Sequence, residues 1–281
     1  MQQGRLAIGQ LDILDVERLT IRIGAAVKSF SPDVHFTKPE LAFLDRFSQL
    51  ALVAAREAIA QSGLLFSGEL AEKTGVILGS AGGGMQTQDE NYRNVYQDGK
   101  NRVHPFVVPR LMHNAAASQI SMAFNLLGPT YCVATACASS NHAMRQAFHL
   151  IRSGACTAVV TGGTDSMLTF GGIKAWEGLR VLSPDGCRPF SATRNGMVLG
   201  EGAAVFVFED YDHARARGAD ILAEVAGFAM TSDAADIVTP SKSGAARSMR
   251  LALKDAALNP EDVGYINAHG TGTMANDKTE S

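Results

Sequence analysis

Apolar residues recur along this chain at helical and strand periods in a regular order. Leu41, Leu44, Phe47, Leu50, Val53 and Ile59 fall at steps that place them on one helical face, and the run closes at Gly63. An amphipathic helix over 41–62 with a glycine stop is predicted. Residues 74–80 (TGVILGS) form a short apolar run that feeds Gly82, Gly83 and Gly84, as a strand buried on both faces would. A second helical pattern covers 111–127 and ends at Gly128–Pro129. Strand 131–135, helix 137–153 with Gly154 behind it, and buried strand 158–163 (AVVTGG) follow. Further on come strand 202–209, a short helix 211–217, strand 221–230, helix 244–258 and strand 263–267. This alternation predicts an α/β fold with a largely buried sheet.

One order occurs twice. Helix, Gly or Pro break, acidic residue, strand and glycine loop appear over 41–84 and again over 244–272. The match of AREAIAQSGL with ALKDAALNP is weak, so the internal duplication rests on the order of elements more than on identity. On this reading the chain divides into a first half, 1–210, and a second, incomplete half, 211–281.

Composition narrows the function classes. The 281 residues are 46% hydrophobic and 19% charged with net charge −3, which excludes a disordered chain and gives no electrostatic pull toward nucleic acid or anionic lipid. No apolar stretch is long enough to span a bilayer, and the N-terminus, MQQGRLAIGQLDILD, lacks a signal-peptide apolar core. A cytoplasmic location is expected. Cys132, Cys137, Cys156 and Cys187 are separated by 5, 19 and 31 residues, which fits neither a disulfide framework nor a paired-CxxC zinc site.

Two segments carry candidate chemistry. In 133–140 (VATACASS) an apolar strand ends in small residues, Cys137 sits at the turn and a helix begins. Such a turn presents a nucleophile with a helix N-terminus behind it, and the dipole and free N–H groups favour the thiolate and a developing oxyanion. The alternative is a buried structural thiol, the commoner fate of a free cysteine. In 267–273 (NAHGTGT) His269 leaves a strand for a loop of Gly and Thr, where imidazole can donate to a carbonyl or enolate oxygen or act as acid and base. A histidine satisfied by backbone is the plainer alternative. A strand-end Cys paired with a strand-end His in one fold points to nucleophilic catalysis on an acyl compound. The glycine clusters at 82–84 and 162–163 lack the features of phosphate loops and read as tight turns. His142, five residues past Cys137, is rotated roughly 140° away on the presumed helix and is a poor base for it.

These blocks resemble the β-ketoacyl-acyl-carrier-protein synthases, elongating type II ketosynthases of the thiolase superfamily. The resemblance rests on Gly128–Pro129–Thr130 leading to Thr135–Ala136–Cys137–Ala138–Ser139–Ser140, on Gly162–Gly163–Thr164–Asp165, on Arg188–Pro189–Phe190 with Gly200–Glu201–Gly202, and on the 267–273 block. It covers nearly all the chain, and Lys174–Ala175–Trp176–Glu177 looks like the rhizobial nodulation ketosynthases. It implies a duplicated, layered α/β/α/β/α fold. It also implies acyl transfer to Cys137 and decarboxylative Claisen condensation with a malonyl-carrier protein. His269 then matches a catalytic histidine, Thr271 and Thr273 match hydroxyls that hold the phosphopantetheine arm, and Met112 falls where the family lines its acyl pocket. Acyl carrier protein is the implied partner and brings its phosphopantetheine, so the chain needs no cofactor of its own. A homodimer pairing through strand 158–163 is implied too.

Departures from the family are equally visible. A second histidine, a lysine and a Phe-bearing glycine loop belong after the 267–273 block, where 12 residues remain past His269, and the family's first strand is missing. The expectation is a chain truncated at both ends that does not complete condensation alone. Asn195 and Met197 stand where the family has Asp and Phe, beside Arg194, and the carrier-docking basic cluster is thin, with Lys38 and Arg46 around Ala42 and Phe43. A non-catalytic relative keeping the fold and a Cys-dependent hydrolase remain as alternatives. The hydrolase calls for an Asp or Asn beside His269 that the Gly/Thr loop does not offer.

Overall fold

The computed structural model describes residues 4–281, so the first three residues of the segment read against a leader lie outside the described residues. Helix α1 (Arg46–Ser62) opens with Asp45 accepting from the Phe47 N–H and closes on Gly63 in the left-handed region, the stop its sequence predicts. It buries Phe47, Leu50, Ala51, Leu52, Ala55 and Ile59. Each large apolar side chain removed from water there contributes about 1.5–3 kcal/mol.

Four strands form one mixed sheet: β1 (Thr74–Gly79), β2 (Thr130–Val133), β3 (Ala158–Ser166) and β4 (Glu201–Glu209), in the order β2-β1-β3-β4. The first three run parallel and β4 is antiparallel to β3. Between them lie α2 (Met85–Tyr92), α3 (Ala115–Phe124), α4 (Ser139–Arg152) and α5 (Phe170–Gly178). Val76, Leu78 and Val160 pack with α1 and α3 on one face, while Ile77 and Val159 pack with Ala143 and Ala147 of α4 on the other. Coverage on both faces explains why β1 and β3 read as continuous apolar runs instead of alternating ones. The N-terminal segment adds a short antiparallel pair, Gly9–Gln10 with Ile23–Gly24, and its Leu11 and Leu19 pack with Ile173 and Leu199.

The α/β architecture is the one expected, and several details differ. The helix predicted over 111–127 is two pieces, Val107–Leu111 and α3, because Met112 turns extended between them. Strand β3 cannot pair across a dimer. Its two edges are already hydrogen-bonded, to β1 over 158–163 and to β4 over 158–166, and the free edges of the sheet are β2 and β4. The segments 221–230 and 263–267, predicted as strands, form no ladder. Apolar patterning reports where side chains prefer to go, but a strand also needs a neighbour, and here Leu222 (74% exposed), Tyr265 (80%) and Ile266 (65%) face solvent. Residues 211–281 contribute a turn of helix at Tyr211–Ala216, α6 (Lys242–Ala256) and α7 (Met274–Glu280). The second copy of the predicted repeat therefore has its helix, α6, and lacks the strand that β1 supplies in the first copy. An apolar groove between α4, β4 and 219–228 is lined by Met144, Phe148, Phe206, Phe208 and Phe228, and by neither Cys137 nor His269. No helix among the described residues is long and apolar enough to cross a membrane.

Candidate active site

Cys137 lies in the tight turn between β2 and α4, one residue after Ala136, which takes a left-handed φ of 51°. A non-glycine residue held there stores of order 1–3 kcal/mol, and such strain collects where a side chain must be presented. Ser139 staples the bend: its hydroxyl donates to the Ala136 carbonyl at 2.6 Å and accepts from the Thr135 N–H at 2.9 Å. The turn also rests on glycines at the strand ends. A Cβ on Gly79 would fall on the backbone of Ser139 and Ser140, and one on Gly163 would fall on the Ser140 hydroxyl. These two glycines let the Cys turn sit directly on the sheet, with the thiol exposed above it.

His269 arrives from more than a hundred residues away and faces the Cys137 thiol closely enough for each side chain to shift the other. The His269 ring, against an opposing effect of burial, holds the Cys137 thiol below its usual range, aided by the cysteine's own N–H. Cys137 in turn raises His269, and the nearby charges of Glu280 and Asp277 add to the effect. Both shifts run toward thiolate and imidazolium, the forms in which sulfur attacks and imidazole donates.

The loop that carries His269 is secured by α7. Glu280 accepts from the N–H groups of His269 and Gly270, each at 2.8 Å, and Asn276 Nδ2 donates to it at 2.8 Å. Asp277, 1% exposed, accepts from Gly272 N–H at 3.1 Å and from Phe190 N–H at 2.7 Å, with Arg194 Nε 3.7 Å away. Burial disfavours both charges, yet these donors keep both carboxyls below their ordinary values. Gly196 N–H donates to the Gly272 carbonyl at 3.0 Å, so the 188–197 segment and the His loop are tied at two points.

The other sequence candidates take mixed positions. Thr271 and Thr273 share a 2.9 Å hydroxyl contact, and Thr273 Oγ1 also accepts from Asn276 N–H to cap α7. Met112 is 45% exposed, and its link to the Cys turn is indirect, through His113 Nε2 at 3.2 Å from the Ala81 carbonyl. Glu201 is a structural tie: it pairs with Arg46 at 2.7 Å and accepts from Ser166 and Val27. Within the Lys174–Glu177 motif, Glu177 accepts from Thr20 and Ile21 N–H groups and holds the N-terminal segment. Asn195 bridges Ser183, Arg188 and Asp185. Sequence reasoning gave no role to Ser139, Asp277 or Glu280. The available signal was the 3-residue spacing of Asp277 and Glu280 on a helix that starts just after the Gly/Thr loop. Among the described residues no group of three or more His, Cys, Asp or Glu is placed to hold a metal ion.

Comparison with known proteins agrees with this geometry. Residues 4–214 match the beta-ketoacyl synthase N-terminal domain, and residues 222–281 match the C-terminal domain of the same family. Nodulation protein E of Rhizobium leguminosarum bv. trifolii is 46% identical over 281 residues, all of this chain and 70% of that protein. The 3-oxoacyl-[acyl-carrier-protein] synthase 2 of Staphylococcus aureus (strain N315) is 37% identical over 285 residues, covering 99% of this chain and 69% of the relative. A crystal structure of a beta-ketoacyl synthase from Burkholderia phymatum STM815 superposes with a TM-score of 0.89 at 31% identity, over 99% of this chain and 70% of that one. The chain thus spans about 70% of its relatives' length. With the Cys137 turn, the His269 loop and both domain matches in place, this chain belongs to the beta-ketoacyl synthase family.

Proposed function

We propose that the chain works as a 3-oxoacyl-[acyl-carrier-protein] synthase, with Cys137 as acyl acceptor. The observation that carries this reading is the Cys137–His269 pair, formed by two distant loops, in which His269 lowers the thiol and Cys137 raises the imidazole. The thiolate attacks the thioester carbonyl of an acyl group on carrier protein, and the carrier's thiol leaves as Cys137 becomes the thioester. A malonyl thioester then loses carbon dioxide, and the resulting enolate attacks the Cys137 thioester and expels the thiolate. His269 donates to the malonyl thioester oxygen as enolate charge develops. Thr271 and Thr273 stand on the same loop, in reach of an arm that approaches His269, and Met112 is the apolar side chain assigned to the acyl group. Carrier protein brings its own phosphopantetheine, so the chain supplies residues and no cofactor. A cytoplasmic setting fits four free cysteines. A homodimer belongs to the same reading, with the free β2 and β4 edges available for a second copy to extend the sheet.

Incubation with an acyl-carrier protein thioester, followed by intact mass and peptide mapping, tests it. One acyl group on Cys137, lost in Cys137→Ala, is expected. No adduct, or one spread over Cys132, Cys156 and Cys187, overturns the reading and favours a non-catalytic relative; an adduct that water removes at once favours the hydrolase.

A further inference from the structure

Asp165 closes the Gly162–Gly163–Thr164–Asp165 block and has no part in the chemistry above. It lies at the end of β3 and, by strand alternation, on the same face as Gly163, the residue on which Ser140 of the nucleophile turn rests. Its carboxylate is fully engaged by the turn that follows β1: Oδ1 accepts from Ser80 Oγ at 3.0 Å, Ala81 N–H at 3.1 Å and Gly82 N–H at 2.8 Å, and Oδ2 accepts from Ala81 N–H at 3.0 Å. Ser80 is joined on its other side to β2, its N–H donating to the Val133 carbonyl at 3.1 Å, four residues before Cys137. The turn is therefore clamped between the strand that leads to the nucleophile and the carboxylate beside it.

The clamp extends outward. The Ala81 carbonyl meets His113 Nε2 at 3.2 Å, and Gly84 N–H donates to the Leu111 carbonyl at 3.1 Å. A side chain on Gly84 would collide with the Arg110 and Leu111 backbone, so the two segments lie in direct contact. The 107–113 segment presents Val108 (62% exposed) and Met112 to solvent, an apolar surface hung on this turn.

We propose that Asp165 is a positioning residue that fixes the Ser80–Gly84 turn and, through it, the apolar 107–113 wall, to which we assign the receipt of a long acyl chain. The proposal rests on the reading of Cys137 as acyl acceptor only for the identity of what the wall receives. Charge-assisted bonds from one acceptor to three donors are the kind of support that sets a site to within a fraction of an ångström. An amide at 165 would point its NH2 at the Ala81 or Gly82 N–H and release part of the turn.

Hydrogen exchange and acyl transfer on Asp165→Asn and on His113→Ala test this in the full chain. In Asp165→Asn, amides of 80–84 and of 107–115 exchange about tenfold faster, as expected for loss of one such bond. Iodoacetamide, too small to need the wall, still modifies Cys137 near neutral pH at a rate no lower than wild type, because the Asp165 charge opposes the thiolate. Transfer of a long-chain acyl group falls about tenfold while acetyl transfer changes by less than threefold. His113→Ala, a change at an exposed side chain, loosens 107–115 and leaves 80–84 protected. Wild-type protection of 107–115 in Asp165→Asn, or a parallel fall of iodoacetamide and both acyl rates, overturns the proposal. If the wild-type chain takes no acyl group at Cys137, the functional reading fails and the exchange measurements alone decide the role of Asp165.

Discussion

Placing a methyl group on Gly79 tests whether the Cys137 turn depends on its contact with the sheet. Gly79 ends β1, and an added Cβ would lie about 1 Å inside ordinary van der Waals contact with the backbone of Ser139 and Ser140. The colliding atoms are main chain, so no side-chain rotamer relieves them, and the Cys137 turn must recede by about that distance. A misplacement of about 1 Å at reacting groups costs on the order of 10²-fold in rate. Overpacking a close contact of this kind costs about 1–3 kcal/mol in stability. Gly79→Ala is therefore expected to slow acyl transfer to Cys137 about 10²-fold while the protein still folds. The assay is the rate of acyl transfer from a carrier-protein thioester, resolved by site with mass spectrometry, run beside a thermal melt. Gly178→Ala at the end of α5, where a Cβ meets nothing within 4 Å, is the control; it leaves the rate unchanged and does not lower the melt. A Gly79→Ala protein that reacts within twofold of wild type would refute the claim that the turn is seated on this glycine.

Other outcomes follow from the same geometry. In His269→Gln the Cys137 thiol loses the partner that lowers it, so the pH midpoint of alkylation moves upward and acyl transfer falls on the order of 10²-fold; an unmoved midpoint would show that the pair does not interact. Asp277→Asn leaves one of two buried N–H donors, Phe190 or Gly272, without its acceptor and lowers stability by about 1–3 kcal/mol, read by urea titration. Arg46→Ala strands the buried Glu201 carboxylate and costs about 3–5 kcal/mol near neutral pH. Burial works against the Glu201 charge, but Arg46 and Ser166 hold its carboxyl below the ordinary value, so the wild-type advantage over Arg46→Ala is full at neutral pH and fades as pH falls through that lowered value. Asn195→Asp puts a second carboxylate where the Asn195 amide now donates to Asp185 at 3.0 Å. Asp185, held at about 2 by Asn195, Ser183 and Arg188, then titrates at higher pH, which carboxyl NMR would detect.

The first half of the fold is legible because its elements carry their own instructions. The stripe from Phe47 to Ile59 and the stop at Gly63 fix α1, and the two-sided burial of β1 and β3 appears directly as uninterrupted apolar runs. The second half fails for a reason that periodicity cannot supply. Segments 221–230 and 263–267 have the apolar content of strands, but a ladder depends on another segment being alongside. The same limitation misplaced the dimer strand: whether 158–163 has a free edge is decided by where 201–209 runs, and nothing within 158–163 records that.

The candidate site divides along a similar line. The Cys137 turn and the His269 loop are legible because small residues around each announce a close approach, and the requirement is local to the turn. Asp277 is inconspicuous because an acidic residue in the first turn of a helix ordinarily means no more than a favourable dipole, and Glu280, the last residue of α7, has not even that signal. Their task, accepting the N–H groups of Gly272, His269 and Gly270, exists only once the loop has folded back over α7. That arrangement has an electrostatic consequence. The carboxylates bind the backbone of the loop and leave the imidazole free to turn toward Cys137, while their charge still acts on the ring and favours its protonated form. One pair of side chains thus positions His269 and adds to the raising effect that Cys137 exerts on it. Removing the Glu280 charge with Glu280→Gln should then lower the His269 titration midpoint, and with it raise that of Cys137, even where the loop keeps its shape.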